Sequence, residues 1–366
     1  MEGMDLVDNQ FSFYFQTWKE LNQSFEKTTV HVSIDQDLEV IKVEVDLGSL
    51  PPVRLDGWEI IVDFEIEKFD NNGTFYTDSN ELEMQKRILN YRPTWDIQTN
   101  YNRSNENVTA NYYPINSAIT MKEFNSSRCF TVMNDRPQAG SAIKDGHMQF
   151  MQNRRIPADD GRGMGEFLNE ENAQGEGIEV KATYFVDIYR EKEIASKQRL
   201  VQHRQDDPPQ YFFNSNLTQK GKGQASTLSE DLKNAGIVDT VKYVSIPKAK
   251  NEVYLRIENL ADLVDWDAKA LDVDVKALLN ALLKSANGAL PQGIWQITPM
   301  SLTGNQSLAD MRSKKIQWKT VDDTTVADKE LDFDLSADKP VSLVPQRIIA
   351  YNAKFVPAEG EILFLQ

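Results

Sequence analysis

Apolar and polar residues alternate with a period of two along most of the chain. Val30, Val32 and Ile34 are followed, after Asp35-Gln36-Asp37, by Ile41, Val43 and Val45, the pattern of a hairpin with one buried face. Ile60, Val62, Phe64 and Ile66 repeat it up to Asn71-Asn72-Gly73, where Asn-Gly supplies the φ > 0 positions of a tight turn. Tyr184, Val186 and Ile188, then Val253, Leu255 and Ile257, are further alternating sets, and the ladders 294–297 and 348–355 close the chain. One stretch has helical spacing: Val275, Leu278, Leu279, Leu282 and Leu283, with Asp274 as a cap and Gly288 beyond its end. Residues 219–236 mix Gly, Ser and charge and read as a loop with at most a short helix. The pattern predicts an all-β protein: a large antiparallel β-sandwich over 1–246, then a smaller β-sandwich over 247–366 carrying the one short helix. The proline-led stretch Pro247-Lys248-Ala249-Lys250-Asn251 is the expected joint.

Composition narrows the partners. In 366 residues, 56 Asp and Glu against 40 Lys and Arg leave a charge of −16, which argues against nucleic acid and anionic membrane as general partners. No apolar run approaches the ~18 residues a membrane-spanning helix needs. The single Cys129 makes no internal disulfide and reads as a small buried hydrophobe. Compartment signals conflict. The start, Met1-Glu2-Gly3-Met4-Asp5, has no basic stretch followed by an apolar run, which points to a cytosolic chain without a signal peptide. Seven Asn-x-Ser/Thr sequons, at Asn22, Asn72, Asn102, Asn107, Asn125, Asn216 and Asn305, exceed the roughly three that chance gives and point to a secretory history.

The densest chemistry lies between residues 75 and 170. Phe75-Tyr76-Thr77-Asp78-Ser79-Asn80, Gln85-Lys86-Arg87, Tyr91-Arg92-Pro93-Thr94-Trp95 and Asn111-Tyr112-Tyr113-Pro114-Ile115-Asn116 come first. Asn134-Asp135-Arg136-Pro137-Gln138-Ala139-Gly140-Ser141, Asp145-Gly146-His147-Met148, Arg154-Arg155 and Asp159-Asp160-Gly161-Arg162-Gly163-Met164-Gly165-Glu166 follow. In this order and spacing they resemble the C-terminal β-region of glycoside hydrolase family 38, the retaining α-mannosidases of lysosomal type. Later stretches, Tyr254-Leu255-Arg256-Ile257-Glu258, Leu302-Thr303-Gly304-Asn305-Gln306 and Val344-Pro345-Gln346-Arg347-Ile348, are similar to that family too. Two places depart from its pattern: Asn80 precedes Glu81 rather than Gly, and Ala139-Gly140-Ser141-Ala142 stands for Gly-Gly-Ser-Ser.

The resemblance implies a zinc-bearing catalytic barrel that precedes the β-region and holds the nucleophile and the general acid. This chain offers only His31, His147 and His203, none in a metal-ligand pattern, so neither a catalytic residue nor a metal ligand is expected on it. Zinc is expected only in a catalytic barrel that is carried on a partner chain or was cut away. Two glycines bracket Arg162, letting the backbone turn sharply and aim a five-donor guanidinium outward, with Asp160 placed to orient it. The resemblance puts such an arginine near the cleft, so Arg162 and Asp160 are the substrate-contact candidates; a purely structural loop salt bridge is the bland alternative. The tyrosine clusters at 91–95 and 112–114 are expected to pin strand ends rather than stack on sugars. Two functions remain open. One is a non-catalytic subunit supporting an α-mannosidase barrel, lysosomal, vacuolar or secreted, with an α-mannoside glycan as substrate of the assembly. The other is a stand-alone structural or interaction protein, or a carbohydrate-binding one.

Overall fold

The computed structural model describes residues 4–7, 10–15, 28–52, 57–78, 83–94, 108–163, 165–208, 225–249, 251–263, 265, 268–316 and 335–359. The chain divides into two compact units, Met1–Pro209 with Val264–Trp266, and Gln210–Leu263 with Asp267–Gln366.

The first unit holds β1 (Met4–Val7), β2 (Gln10–Phe15), β3 (Thr28–Asp35), β4 (Val40–Leu47), β5 (Trp58–Glu65), β6 (Thr74–Asp78) and β7 (Met84–Ile88). It continues with β8 (Tyr113–Ile115), β9 (Ala118–Lys122), β10 (Arg128–Asn134), β11 (Gln138–Ser141), β12 (His147–Arg155) and β13 (Val180–Arg190), then a helix, α1 (Ile194–Asp206). A nine-stranded sheet in the order β1-β2-β3-β4-β13-β10-β9-β6-β7 faces a four-stranded sheet, β5-β12-β11-β8. Every pairing in both sheets is antiparallel. Val43, Val45, Phe75, Ile119, Val132 and Tyr184 from the larger sheet meet Ile115, Met148 and Phe150 from the smaller one in a single core. Full burial of each such side chain contributes about 1.5–3 kcal/mol.

The 30–34 and 41–45 alternations form β3 and β4 in register Val30↔Val45 and Ile34↔Ile41. Asp35 Oδ1 closes their turn by accepting from Asp37 N and Leu38 N. β10 is buried on both faces, so its apolar run is nearly continuous. Helix α1 covers the second face, and its buried side includes Gln198, Arg199 and Gln202 besides Val201.

The second unit holds α2 (Ala225–Asn234), β14 (Val241–Ala249), β15 (Glu252–Asn259), β16 (Leu271–Val273), α3 (Val275–Asn287), β17 (Gly293–Pro299), α4 (Leu308–Lys314), β18 (Val341–Leu343) and β19 (Ile348–Pro357). A four-stranded antiparallel sheet, β14-β15-β19-β17, and the β16–β18 ribbon share one core with the apolar face of α3. Asp274 accepts from Ala277 N at 2.9 Å at the start of α3, and Gly288 ends it at φ 79°.

The architecture is mostly antiparallel β, as expected, with two differences. The division falls at 209/210 rather than at 246/247. Pro247 lies within β14 opposite Val253, and β14 is an edge strand, where a missing N–H removes no inner ladder bond. The helices also differ: α1 and α4 carried no expectation, whereas α2 is the short helix that the reading of 219–236 left room for. In α1 the buried side is largely polar, so hydrophobic periodicity does not mark it.

Candidate functional site

The family-like motifs of the first unit fold mostly into internal clamps. Asp78 is buried, and its Oδ1 accepts from the backbone N–H groups of Asn116, Ser117 and Ala118 at 2.9–3.0 Å, closing the β8–β9 turn. Arg87 and Arg92 lie over the Tyr113 ring, their Cζ atoms 4.3 and 4.5 Å from its centroid, while Phe75 meets the same ring edge-on. Burial and the neighbouring Arg92 hold the Arg87 guanidinium below its ordinary pKa. Asn111 and Asn90 exchange hydrogen bonds, and Ser141 Oγ donates to Asn111 O. Tyr112 donates to Gln149 Oε1 at 3.0 Å; burial, then Glu59 and Asp63, push its phenol up to about 12. The tyrosines at 112 and 113 therefore pin strand ends, while Trp95 lies outside the described residues. At Gly140 a Cβ would come within 2.3 Å of Ile115 Cδ1 and 2.5 Å of Gln149 O, so that glycine is required by close strand approach.

Arg155 is the strongest clamp. It is 3% exposed and donates from Nε to Asn169 Oδ1 at 2.6 Å, from Nη1 to Leu50 O at 2.5 Å and from Nη2 to Glu171 Oε1 at 2.8 Å. Beside it Ile156 N donates to Leu168 O at 2.8 Å, drawing together the two feet of the excursion between them. A loop whose ends meet while its middle runs over the surface is an Ω-type loop, a common carrier of binding residues.

The tip of this loop holds both substrate-contact candidates, exposed. Asp159 Oδ2 accepts from Gly161 N at 2.8 Å and Asp160 Oδ1 from Arg162 N at 3.0 Å, two successive Asx turns. Gly161 at φ 72° and Gly163 at φ 154° supply backbone conformations that side chains resist, and nothing lies within 4 Å of a Cβ added at either. One expectation is corrected here. Asp160 holds the backbone of Arg162 rather than its guanidinium, because the short carboxylate reaches the N–H two residues on. The guanidinium itself meets no partner among the described residues.

The histidines stand on three separate elements. His31 lies in β3 opposite Glu44, as its alternation predicts. His147 begins β12 and His203 lies in α1. Nδ1 of His147 is 3.3 Å from Asp63 Oδ2 and its Nε2 is 3.6 Å from Glu65 Oε1, a grouping that residues so far apart in sequence do not announce. Among the described residues no group of three or more His, Cys, Asp or Glu is placed to hold a metal ion. The donor set of a zinc centre is not assembled by these side chains. Sequence reasoning also missed the polar seam under α1: Gln198 Oε1 accepts from Tyr189 OH at 2.6 Å, and Gln202 Nε2 donates to Ser117 Oγ at 2.6 Å. The buried Arg199 Nε lies 3.7 Å from Asp265 Oδ2 within the same unit.

Of the seven sequons, Asn72, Asn125 and Asn305 are exposed in turns, and Asn22, Asn102, Asn107 and Asn216 lie outside the described residues.

These features define an antiparallel β-sandwich region with a pinned, arginine-tipped surface loop. Residues 12–162 match the family described as the glycosyl hydrolases family 38 C-terminal domain. Lysosomal α-mannosidase of Bos taurus is 38% identical over 162 residues, 44% of this chain and 15% of that protein. A probable α-mannosidase of Arabidopsis thaliana is 30% identical over 296 residues, 77% of this chain and 26% of that one. A second Arabidopsis α-mannosidase is 28% identical over 323 residues, covering 86% and 30%. The chain carries the C-terminal region of glycosyl hydrolase family 38. It spans less than a third of the length of these relatives.

Proposed function

We propose that this chain is the non-catalytic C-terminal β-region of a lysosomal-type α-mannosidase, working with a zinc-dependent retaining barrel carried on residues outside it. The assembly acts on terminal α-mannosides in a lysosomal, vacuolar or secreted setting. One observation carries the reading: a loop pinned at its feet by the buried Arg155 clamp holds out an arginine fork that meets no partner among the described residues. A planar guanidinium presents paired donors that suit vicinal sugar hydroxyls or a carboxylate at a cleft rim. The relatives named lysosomal α-mannosidase support both the assignment and the compartment. In this reading the barrel supplies the bond-breaking groups and the metal. Arg162 binds and orients, and the Asx turns keep its backbone from collapsing onto the sheet.

The test begins with the protein purified from its source. Barrel peptides identified beside it by mass spectrometry support the assembly, and their absence overturns it. Zinc-dependent mannosidase activity or stoichiometric zinc in the isolated chain would contradict the division of labour.

A further inference from the structure

We propose that Asn72 and Asn125 both carry N-linked oligosaccharides, which together cover the end of the first unit opposite the Arg162 loop. The inference rests on the secretory setting proposed above and adds which positions are modified and which surface they close.

Each asparagine has the required hydroxyl two residues on, in Asn72-Gly73-Thr74 and Asn125-Ser126-Ser127. Each is an exposed turn residue in the left-handed region, Asn72 at φ 47° and Asn125 at φ 57°. Thr74 N donates to Asn71 O at 2.9 Å around Asn72 and Gly73, and Ser126 N donates to Glu123 O at 3.2 Å around Asn125. Asn72 contrasts with its neighbour. Asn71 is 2% exposed and spends its carboxamide inward, with Nδ2 donating to Thr74 O and Oδ1 accepting from Gly146 N. The carboxamides of Asn72 and Asn125 meet no partner among the described residues, so a glycan on either displaces no internal bond.

The two turns are adjacent. Phe124 N, next to Asn125, donates to Asp70 O, and Asp70 Oδ1 accepts from Asn72 N at 2.8 Å. Gly73 N donates to Asp145 Oδ1, placing the pair beside the start of β12. That nine-residue strand, His147–Arg155, runs to the Arg155 clamp and the loop beyond it. At ~3.3 Å per residue it separates the two ends by about 30 Å. Glycans at Asn72 and Asn125 therefore leave the Arg162 end open for a partner or substrate. Asn305 is outside the proposal: its carboxamide Oδ1 accepts from Ser301 Oγ and Thr303 Oγ1, unlike the carboxamides of Asn72 and Asn125.

In the modification, Asn Nδ2 attacks the anomeric carbon of a lipid-linked diphospho-oligosaccharide. The new C–N bond forms as the bond from that carbon to the diphosphate oxygen breaks. The lipid diphosphate leaves with the electron pair, and the amide nitrogen gives up one proton.

The experiment is enzymatic deglycosylation of the native protein in heavy-oxygen water, which turns each glycan-bearing Asn into a labelled Asp, followed by peptide mass spectrometry. Label at both Asn72 and Asn125 is expected. Thr74→Ala and Ser127→Ala, expressed in a secreting host, should each remove one glycan and together two, without changing the unfolding midpoint. Label at other sequons but not at these two overturns the placement while leaving the secretory reading standing. A native chain without any glycan overturns the secretory reading and this inference with it.

Discussion

Arg155 and Arg162 lie seven residues apart in sequence on one excursion of the chain, yet they meet opposite fates. Arg155 is 3% exposed with all three guanidinium nitrogens engaged; Arg162 is exposed and its guanidinium meets no partner among the described residues. The difference follows from what precedes each residue. Arg155 ends β12, whose pairing with β5 carries it beneath the 168–178 segment, where Leu50 O, Asn169 and Glu171 converge. Gly177 packs against the same place; a Cβ there would meet Leu50 O at 2.4 Å. Arg162 follows an Asp-Asp-Gly turn in which Asp159 and Asp160 accept from the backbone N–H groups of Gly161 and Arg162 rather than from the guanidinium. One arginine builds the pedestal and the other stands on it.

The contrast breaks most visibly at the pedestal. Arg155→Ala leaves the Leu50 carbonyl and the Glu171 and Asn169 side chains without their shared donor, and loss of such a buried charged partner costs about 3 kcal/mol. Urea unfolding should show a lower midpoint with an unchanged slope. An unaltered midpoint would show that the clamp is dispensable.

Cys129 gives an independent reading of the same loss. Burial, then the nearby Glu191, push its thiol up to about 12, so at neutral pH it is neutral and enclosed in the folded state. A thiol reagent should reach it only through opening. Labelling should therefore speed up roughly 100-fold in Arg155→Ala under conditions where opening and closing are fast relative to labelling, and stay at the wild-type rate in Arg162→Ala. The same raised value sets a sign for pH. With the folded pKa above the unfolded one, the thiol's contribution is whole below about 9 and is lost as pH rises from there toward 12.

At the tip the expected effect moves from stability to turnover. Arg162→Ala should leave the unfolding midpoint unchanged and lower kcat/KM of the assembled enzyme about 10- to 150-fold, the worth of one charge-assisted contact. Arg162→Lys should restore only part, because an ammonium does not reproduce a two-pronged fork. Wild-type kcat/KM in Arg162→Ala would make the tip merely structural. The smallest effect belongs to Asp160→Ala. Removing one Asx bond in an exposed loop should leave the midpoint in place and loosen the aim of Arg162, read as a rise in KM larger than the fall in kcat.

Much of this protein was legible in the order of its residues. In β4 and β15 every second residue of the expected sets is buried at Val43, Val45, Val253, Leu255 and Ile257, but Ile34, Ile41 and Ile188, expected on the same buried faces, are exposed, and β13 buries Tyr184 on one face and Phe185 and Tyr189 on the other. Helix α3 was equally plain, because its leucines, the Asp274 cap and the terminal Gly288 agree. The position of Arg162 on an exposed turn followed from its bracketing glycines. Other features gave no such signal. Helix α1 buries Gln198 against Thr120 and Tyr189, Gln202 against Ser117 and Arg199 beside Asp265, and polar residues buried by mutual hydrogen bonding look like surface ones in a linear pattern. Pro247 looked like a joint because proline usually interrupts a sheet, but an edge strand tolerates it.

Local chemistry thus determined the alternating strands, the capped helix, the turn-forming asparagines and the outward arginine, since each depends on neighbours within a few residues. Only the folded chain decided that Asp63 and Glu65 flank His147, that Asn72 and Asn125 share one end, and that Arg155 rather than Arg162 is the buried one. Those outcomes depend on which strands pair and in what register, and pairing joins residues whose separation along the chain carries no local trace.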